Sequence, residues 1–374
     1  MNRTHFRQGA WPALWGLVLL LALASCAAAP APLTQRPTAE IAPSPLGSPT
    51  AAMVFTPSPF LPVQFTDTPL PPTQAATPTP TITADPVRFA VIGDYGSGDE
   101  DAAAVAELVK SWNPDFIITT GDNNYDDGAE ETIDQNIGQF YHEFIFPYKG
   151  TYGPGATVNR FFPSLGNHDW DTKKEINGEV LPYPYLDYFE LPGNERYYDF
   201  VSGPVHFFAL DSDSREPDGV GSSSIQAQWL KNRLAASTAP WKIVYMHHPP
   251  YSSARHGNID WMQWPFEEWG ASAVLAGHDH VYERILLAGF PYFVNGLGGH
   301  SRYSFETPVE GSQVRYRENY GAMLVEAGQW TMNFQFINID GDVIDSYQLE
   351  LDHRSVYLPL VNQRNPAVFA LAPQ

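Results

Sequence analysis

The chain reads as an α/β protein in which strands and helices alternate early and strands alone follow late. Two stretches carry that reading. V-R-F-A-V-I (Val87 to Ile92), the helical spacing of Ala102, Val105, Leu108, Val109 and Trp112, and D-F-I-I-T-T (Asp115 to Thr120) give a strand–loop–helix–strand order, which predicts parallel neighbours. From Tyr282 onward, P-Y-F-V-N-G-L-G-G and the stretch Tyr320 to Leu349 read as strands only, the last pair turning at Asp340-Gly341.

The first residues are of another kind. Arg3 and Arg7 precede an apolar run from Ala13 to Ala24, the pattern of an export signal over residues 1–25, too short to favour a permanent membrane span. Leu23-Ala24-Ser25-Cys26 resembles the bacterial lipobox, which implies acyl chains on Cys26, the only cysteine of the chain. The exported part then has no disulfide and depends on its core, and on any bound metal, for stability. Residues 26–86 are dominated by Pro, Thr, Ala and Ser, with T-P repeats near Thr77 to Thr81. Such a composition buries too little apolar surface to offset ordering entropy, so a disordered spacer is expected, with an upper reach of roughly 180 Å.

Globular character begins at Val87 and extends to about residue 350. A helix is expected from Asp99 to Trp112, closed by Pro114, and a second from Ser224 to Ala236. Further strands are expected at R-F-F-P-S-L before Gly166, at V-H-F-F-A-L (Val205 to Leu210), at W-K-I-V-Y-M (Trp241 to Met246) and at A-S-A-V-L-A (Ala271 to Ala276). The run Trp261, Trp264, Phe266 and Trp269 is expected to form a packed helix face. The tail 351–374 holds an apolar patch, Val356 to Val361, read at most as a strand docking on the core edge.

Charge narrows the partners. With 42 acidic against 21 basic side chains the net charge is −21, which disfavours nucleic acid and anionic lipid surfaces as partners. The membrane is expected to be met only through Cys26, on an exported, cell-surface or periplasmic protein; the oligomeric state is left open.

Five short motifs then appear in order: G-D-Y-G from Gly93, G-D-N-N-Y from Gly121, G-N-H-D from Gly166, V-Y-M-H from Val244 and G-H-D-H from Gly277. Four directly follow an apolar run read as a strand, and loops at the carboxyl ends of parallel strands converge on one crevice. Alone, each Gly-Asp or Gly-His is a common turn pair. Together they supply two carboxylates, a phenol, an amide and three imidazoles, a set suited to two adjacent metal ions.

These motifs resemble those of the calcineurin-like metallophosphoesterases and, within them, the purple acid phosphatases. The wider superfamily writes its first motif D-x-H, whereas Gly96 holds that position here. Tyr125 stands where purple acid phosphatases place a compensating tyrosine, three residues after the second aspartate. The resemblance implies a four-layer αββα sandwich of two mixed sheets, the metallo-dependent phosphatase fold. It implies that Asp94, Tyr125 and His280 bind a first metal, that Asp122 bridges, and that Asn167, His247 and His278 bind a second. Hard anionic donors at the first position favour Fe(III); Fe(II), Zn(II) or Mn(II) fits the second. A phosphatase hydrolysing phosphate monoesters by metal-activated hydroxide follows, with an acidic working range and a small phosphate ester as substrate.

His168 resembles the family histidine that contacts phosphate and protonates the leaving oxygen, and His256, nine residues after His247, is a second acid/base candidate. Asp169 is expected to orient a neighbour. His248 either contacts substrate or points away, and Arg255 either meets phosphate or is simply exposed. His142, His206, His300 and His353 lack a motif and read as structural, and the glycine turn at Gly296, Gly298 and Gly299 lacks phosphate-loop context. Two rival readings stay open: a phosphodiesterase or nucleotidase using the same metals, and a non-catalytic surface binding lipoprotein.

Overall fold

The computed structural model describes residues 85–351. The expected leader, Cys26, nearly all of the Pro/Thr-rich segment, His353 and the Val356 to Val361 patch lie outside the described residues.

Two large mixed sheets form the body. The first runs in the order β15-β14-β13-β1-β2-β3. Its members are β1 (Val87–Ile92), β2 (Phe116–Thr119), β3 (Phe161–Pro163), β13 (Gly321–Ala327), β14 (Thr331–Asn338) and β15 (Val343–Glu350). β1, β2 and β3 are parallel, and the last three strands add antiparallel on the other side of β1. The second sheet runs β12-β10-β11-β9-β8-β7-β6. It is built from β6 (Tyr198–Ser202), β7 (Val205–Ala209), β8 (Trp241–Tyr245), β9 (Ala273–Ala276), β10 (Tyr282–Leu287), β11 (Phe290–Asn295) and β12 (Ser312–Tyr316). Its centre, β7-β8-β9-β11, is parallel. A small hairpin, β4 (Lys174–Ile176) with β5 (Glu179–Leu181), stands apart.

Period-two alternation decides which side chains meet. On β8, Ile243 and Tyr245 face the first sheet while Val244 and Met246 face outward; on β9 the inward pair is Ala273 and Leu275. Inward residues of the two sheets interlock through rings: Phe89 meets Phe207 edge-on at 4.9 Å and Phe293 stacks on Phe334 at 4.9 Å. Aromatic pairs of this kind add roughly 0.5–1.5 kcal/mol each beyond area burial.

Helices cover the outer faces. The Glu100–Ser111 helix begins at Asp99, whose carboxylate accepts from the amides of Asp101 and Ala102, and it buries Ala102, Val105, Ala106 and Val109. The Ile225–Ala236 helix is capped by Ser224 and buries Ala227, Leu230 and Leu234 against Phe208 and Val244. Layer order is therefore helix, sheet, sheet, helix. Among the described residues no helix is long and apolar enough to cross a membrane.

The aromatic run departs from its expected helix. Only Asp260–Met262 forms a short helical turn; Trp264 and Phe266 are buried in the outer cluster and Trp261 is 43% exposed. Pro265 interrupts the helical hydrogen-bond ladder between them.

Candidate metal centre

The motifs meet at one end of the sandwich, where both sheets present the carboxyl ends of parallel strands. Asp94 follows β1, Asp122 follows β2 and Asn167 lies beyond β3, so three donors come from the first sheet. His247 follows β8 and His278 follows β9, so the second sheet faces them with imidazoles. The strand-end loops converge on one crevice, as their spacing predicts, and that crevice lies between the two sheets.

Asp94, Asp122 and His278 all adopt positive φ, at 55°, 52° and 68°. Non-glycine residues seldom sit in this left-handed region, and they do so where surrounding structure fixes a functional geometry. Close packing explains the motif glycines. A Cβ on Gly277 would stand 2.6 Å from the Asp94 carboxylate and 2.9 Å from the Thr120 carbonyl. At Gly96 it would stand 2.1 Å from the Asn123 carbonyl, so no histidine fits there, and the Gly96 carbonyl instead receives the Tyr125 amide at 2.9 Å.

Two clusters of lone-pair atoms result, joined by Asp122. In the first, Tyr125 Oη lies 2.9 Å from Asp122 Oδ2, 3.3 Å from Asp94 Oδ1 and 3.2 Å from His280 Nε2, while His280 Nε2 is 3.3 Å from Asp94 Oδ1. In the second, His247 Nε2 is 3.1 Å from Asn167 Oδ1, 3.3 Å from Asp122 Oδ1 and 3.1 Å from His278 Nδ1. Asp94, Asp122, His247 and His280 are buried. His247 Nδ1 donates to the Thr120 carbonyl at 2.8 Å, which leaves its Nε2 lone pair aimed at three other acceptors. Acceptors crowded this closely in a buried place repel one another unless protons or cations lie between them, and the mixture of carboxylate, phenol, amide and imidazole is a transition-metal donor set. The residues fit a pair of metals.

Without metal, protons take that place. Burial opposes the Asp122 charge, yet His247 beside it holds its carboxyl well below the usual carboxylate range. Burial would lower His247 as well, but Asp122 outweighs it and pushes the imidazole up to about 10. Burial, then the charges of Asp122 and Asp94, drive the Tyr125 phenol well above its ordinary value.

A cavity of about 100 Å³ opens on this centre, lined by Asp122, Asn167, His168, His256 and their neighbours His278, His280 and Tyr303. It spans a few water volumes of about 30 Å³ each, the scale of a small anionic group rather than a polymer. His168 Nδ1 contacts the Asp126 carbonyl and therefore carries its hydrogen there, while Nε2 lies 4.0 Å from Asp122 Oδ2. His256 is solvent-facing, with its ring 4.3 Å from that of His278 and its amide on Asp279 Oδ1 at 2.9 Å. Asp169 accepts from the amides of Gly166, at 2.8 Å, and Asn123, at 3.1 Å, tying two ligand loops together; burial and nearby Asp122 raise its carboxyl to about 7.

Four residues here carried too little signal in the sequence. His300 stacks on Tyr125 at 3.8 Å, and its amide donates to the Asp94 carbonyl; it belongs to the centre rather than to distant packing. The glycine turn before it packs on the first motif, with the Gly298 amide on the Gly93 carbonyl at 2.9 Å. Ser301 bonds His280 Nδ1 at 2.7 Å and Tyr303 stacks on the same imidazole at 4.1 Å. Arg215 donates to the Asn167 carbonyl at 2.8 Å and is held by Asp213 and Asp171. His248 is buried 4.5 Å, ring to ring, from His278, with both its amide and Nδ1 on Ser212, and burial lowers it to about 3. His142 bonds the Gly138 carbonyl and His206 bonds Asp199 and Ser237, away from the motifs.

Fold and centre together define a metal-dependent phosphoesterase. The calcineurin-like phosphoesterase family profile matches residues 87–282, and the chain belongs to that family, hydrolases acting on phosphoric esters. Among curated relatives, Purple acid phosphatase 7 of Arabidopsis thaliana is 25% identical over 73% of this chain and 88% of its own length. Tartrate-resistant acid phosphatase type 5 of Mus musculus is 25% identical over 60% of this chain and 75% of its own. The purple acid phosphatase PPD1 from yellow lupin (Lupinus luteus) seeds superposes with a TM-score of 0.59 at 18% identity, over 77% of this chain and 58% of that one. That likeness shows the shared fold.

Proposed function

We propose that this chain is a dinuclear-metal acid phosphatase of the purple acid phosphatase type, hydrolysing phosphate monoesters. One observation carries the reading: Tyr125 Oη reaches Asp94, Asp122 and His280 within 3.3 Å while Gly96 leaves no room for a histidine. Asp94, Tyr125, Asp122 and His280 would hold one ion, Fe(III) by the hardness of the donors. Asp122, Asn167, His247 and His278 would hold the other, Fe(II), Zn(II) or Mn(II). Such ions supply Lewis-acid polarisation of the ester and an activated water.

The protein's own groups do the rest. Tyr303 and His280 wall the small cavity and keep the ester beside Asp122. His168, anchored through Nδ1, presents Nε2 to the cavity and holds the proton that the leaving oxygen needs. His256 lines the same cavity as a second proton carrier. Imidazolium donors suit an acidic working range. The export signal and Cys26 support a lipid-anchored, cell-surface or periplasmic location, with the membrane met only through that anchor.

The test is hydrolysis of p-nitrophenyl phosphate against bis(p-nitrophenyl) phosphate, with metal content and a visible spectrum of the same sample. Monoester preference, about two metal ions per chain and a tyrosinate-to-iron band are expected. A clear diester preference would move the chain to the phosphodiesterases. Turnover surviving in Asp122→Asn would remove the centre from the chemistry.

A further inference from the structure

Arginine pairing is uneven over the described residues. Arg88, Arg196, Arg215, Arg233 and Arg284 each hold a carboxylate at 2.5–2.8 Å. Arg160, Arg255, Arg302, Arg315 and Arg317 form no such pair among the described residues, although carboxylates outnumber cations 42 to 21 in the chain, and three of them, Arg255, Arg302 and Arg317, gather around Tyr303 and Tyr320. All three are exposed. Their guanidiniums rest on rings and main-chain oxygens: Arg255 lies 5.2 Å over Tyr303, Arg302 lies 5.2 Å over Tyr320 and donates to the Glu318 carbonyl, and Arg317 donates to the Tyr303 carbonyl at 3.3 Å. Such contacts orient a guanidinium without neutralising it.

Their location gives the arrangement a meaning. Tyr303 walls the cavity at the metal centre, and Arg255 immediately precedes His256 in that same wall. His300 also lines a larger cavity, about 460 Å³, together with Arg302, Arg317 and Tyr320. His300 is thus shared between the larger cavity and the metal centre, where it stacks on Tyr125. The acidic groups nearby are Glu318 in the cavity wall and Asp101 beside Tyr320, with Asp99 and Asp126 in the adjoining cavity that shares His300. A planar guanidinium recognises phosphate through paired N–H donors, more specifically than a lysine would.

We propose that Arg255, Arg302 and Arg317 form a rim that binds a second phosphate of the substrate, so that the chain prefers sugar bisphosphates to sugar monophosphates. This rests on the phosphatase reading above. The scissile group occupies the small cavity, and the second phosphate meets the guanidiniums beside it.

The experiment compares fructose 1,6-bisphosphate with fructose 6-phosphate on the metal-loaded full chain and on an Arg255→Ala/Arg302→Ala/Arg317→Ala variant. The expected kcat/KM ratio is about tenfold for the bisphosphate at low salt, shrinking as salt rises. In the triple variant it falls to about two, the statistical factor, while the monophosphate rate changes less than about twofold. Single Arg255→Gln and Arg317→Gln changes, each at an exposed side chain, guard against misfolding and should each lose part of the preference. A wild-type ratio near two, or a ratio that survives all three substitutions, overturns the proposal. If neither ester is hydrolysed, the phosphatase reading fails by itself. Calorimetric binding of the same two sugars then decides the rim: tighter, arginine-dependent bisphosphate binding supports it, and equal binding overturns it.

Discussion

At the residue scale, two side chains concentrate the chemistry. Tyr125 is a candidate donor beside a position that excludes a histidine, and its phenol meets three other candidate ligands. Tyr125→Phe keeps the ring that stacks on His300 but removes the oxygen. The variant should fold, retain the second ion, lose much of the first and lose any visible band, as metal analysis and absorption would read. Full retention of both ions would show that the phenol is not a ligand. His247 makes the pH dependence explicit. Its imidazole, pushed up to about 10 by Asp122 against the opposing effect of burial, holds a proton at neutral pH in the metal-free protein. Metal must displace that proton and the one on the Tyr125 phenol, so loading both ions should release about two protons per chain at pH 7, and affinity on the His247 side should rise about tenfold per pH unit until its proton is gone near pH 10. Calorimetry in buffers of different ionisation enthalpy measures the release. The sign for stability is the reverse. A raised histidine stabilises the metal-free fold fully below its unfolded value near 6.5, and that contribution is lost as pH rises through about 10.

At the element scale, the strand–turn junctions hold the site together. Gly96→Ala would drive a Cβ to 2.1 Å from the Asn123 carbonyl, a backbone atom that cannot swing aside. The turn carrying Asp122 and Tyr125 must then shift, and metal occupancy should fall together with activity. Elsewhere, Arg196 and Glu216 form a buried pair at 2.8 Å, and Glu216→Ala leaves that guanidinium with only its second partner, Asp218 at 3.1 Å. A loss of about 1–3 kcal/mol in denaturant unfolding is expected, because Asp218 still meets the guanidinium.

Much of this was legible in the sequence because strand ends and ligands coincide. Val87 to Ile92, Trp241 to Met246 and Ala271 to Ala276 announced themselves as apolar runs, and each was followed by a ligand motif. The structure keeps the first with its bounds and trims the other two to Trp241–Tyr245 and Ala273–Ala276 without moving a motif. What stayed hidden depends on contacts across the fold. His300 has no motif because its role is a ring stacked on a tyrosine far away in sequence, and Arg215 acts through a main-chain oxygen, which any residue supplies. β6 and β12 were missed because polar and exposed residues interrupt their patterns, as expected at sheet edges. The tryptophan run misled for a simpler reason: apolar spacing survives in a coiled loop that buries Trp264 and Phe266 and leaves Trp261 exposed.

At the scale of the whole molecule, ligands from two separate sheets converge on one centre. Binding that favours the folded chain stabilises it by about 2.7 kcal/mol when free ligand is a hundredfold above its dissociation constant. Stripping the ions with a chelator should therefore lower the melting temperature by roughly 5 °C or more, and restoring them should recover it. An unchanged melting temperature would mean that the two sheets hold the donors in place without help.

Asp122 is where the halves are buttoned. Its two carboxylate oxygens look toward opposite donor sets, Tyr125 on the side of its own sheet and His247 across the seam. A molecule fastened this way cannot gape at its rim without spilling its cargo, so the slow breathing of the sandwich and the escape of metal should keep the same clock.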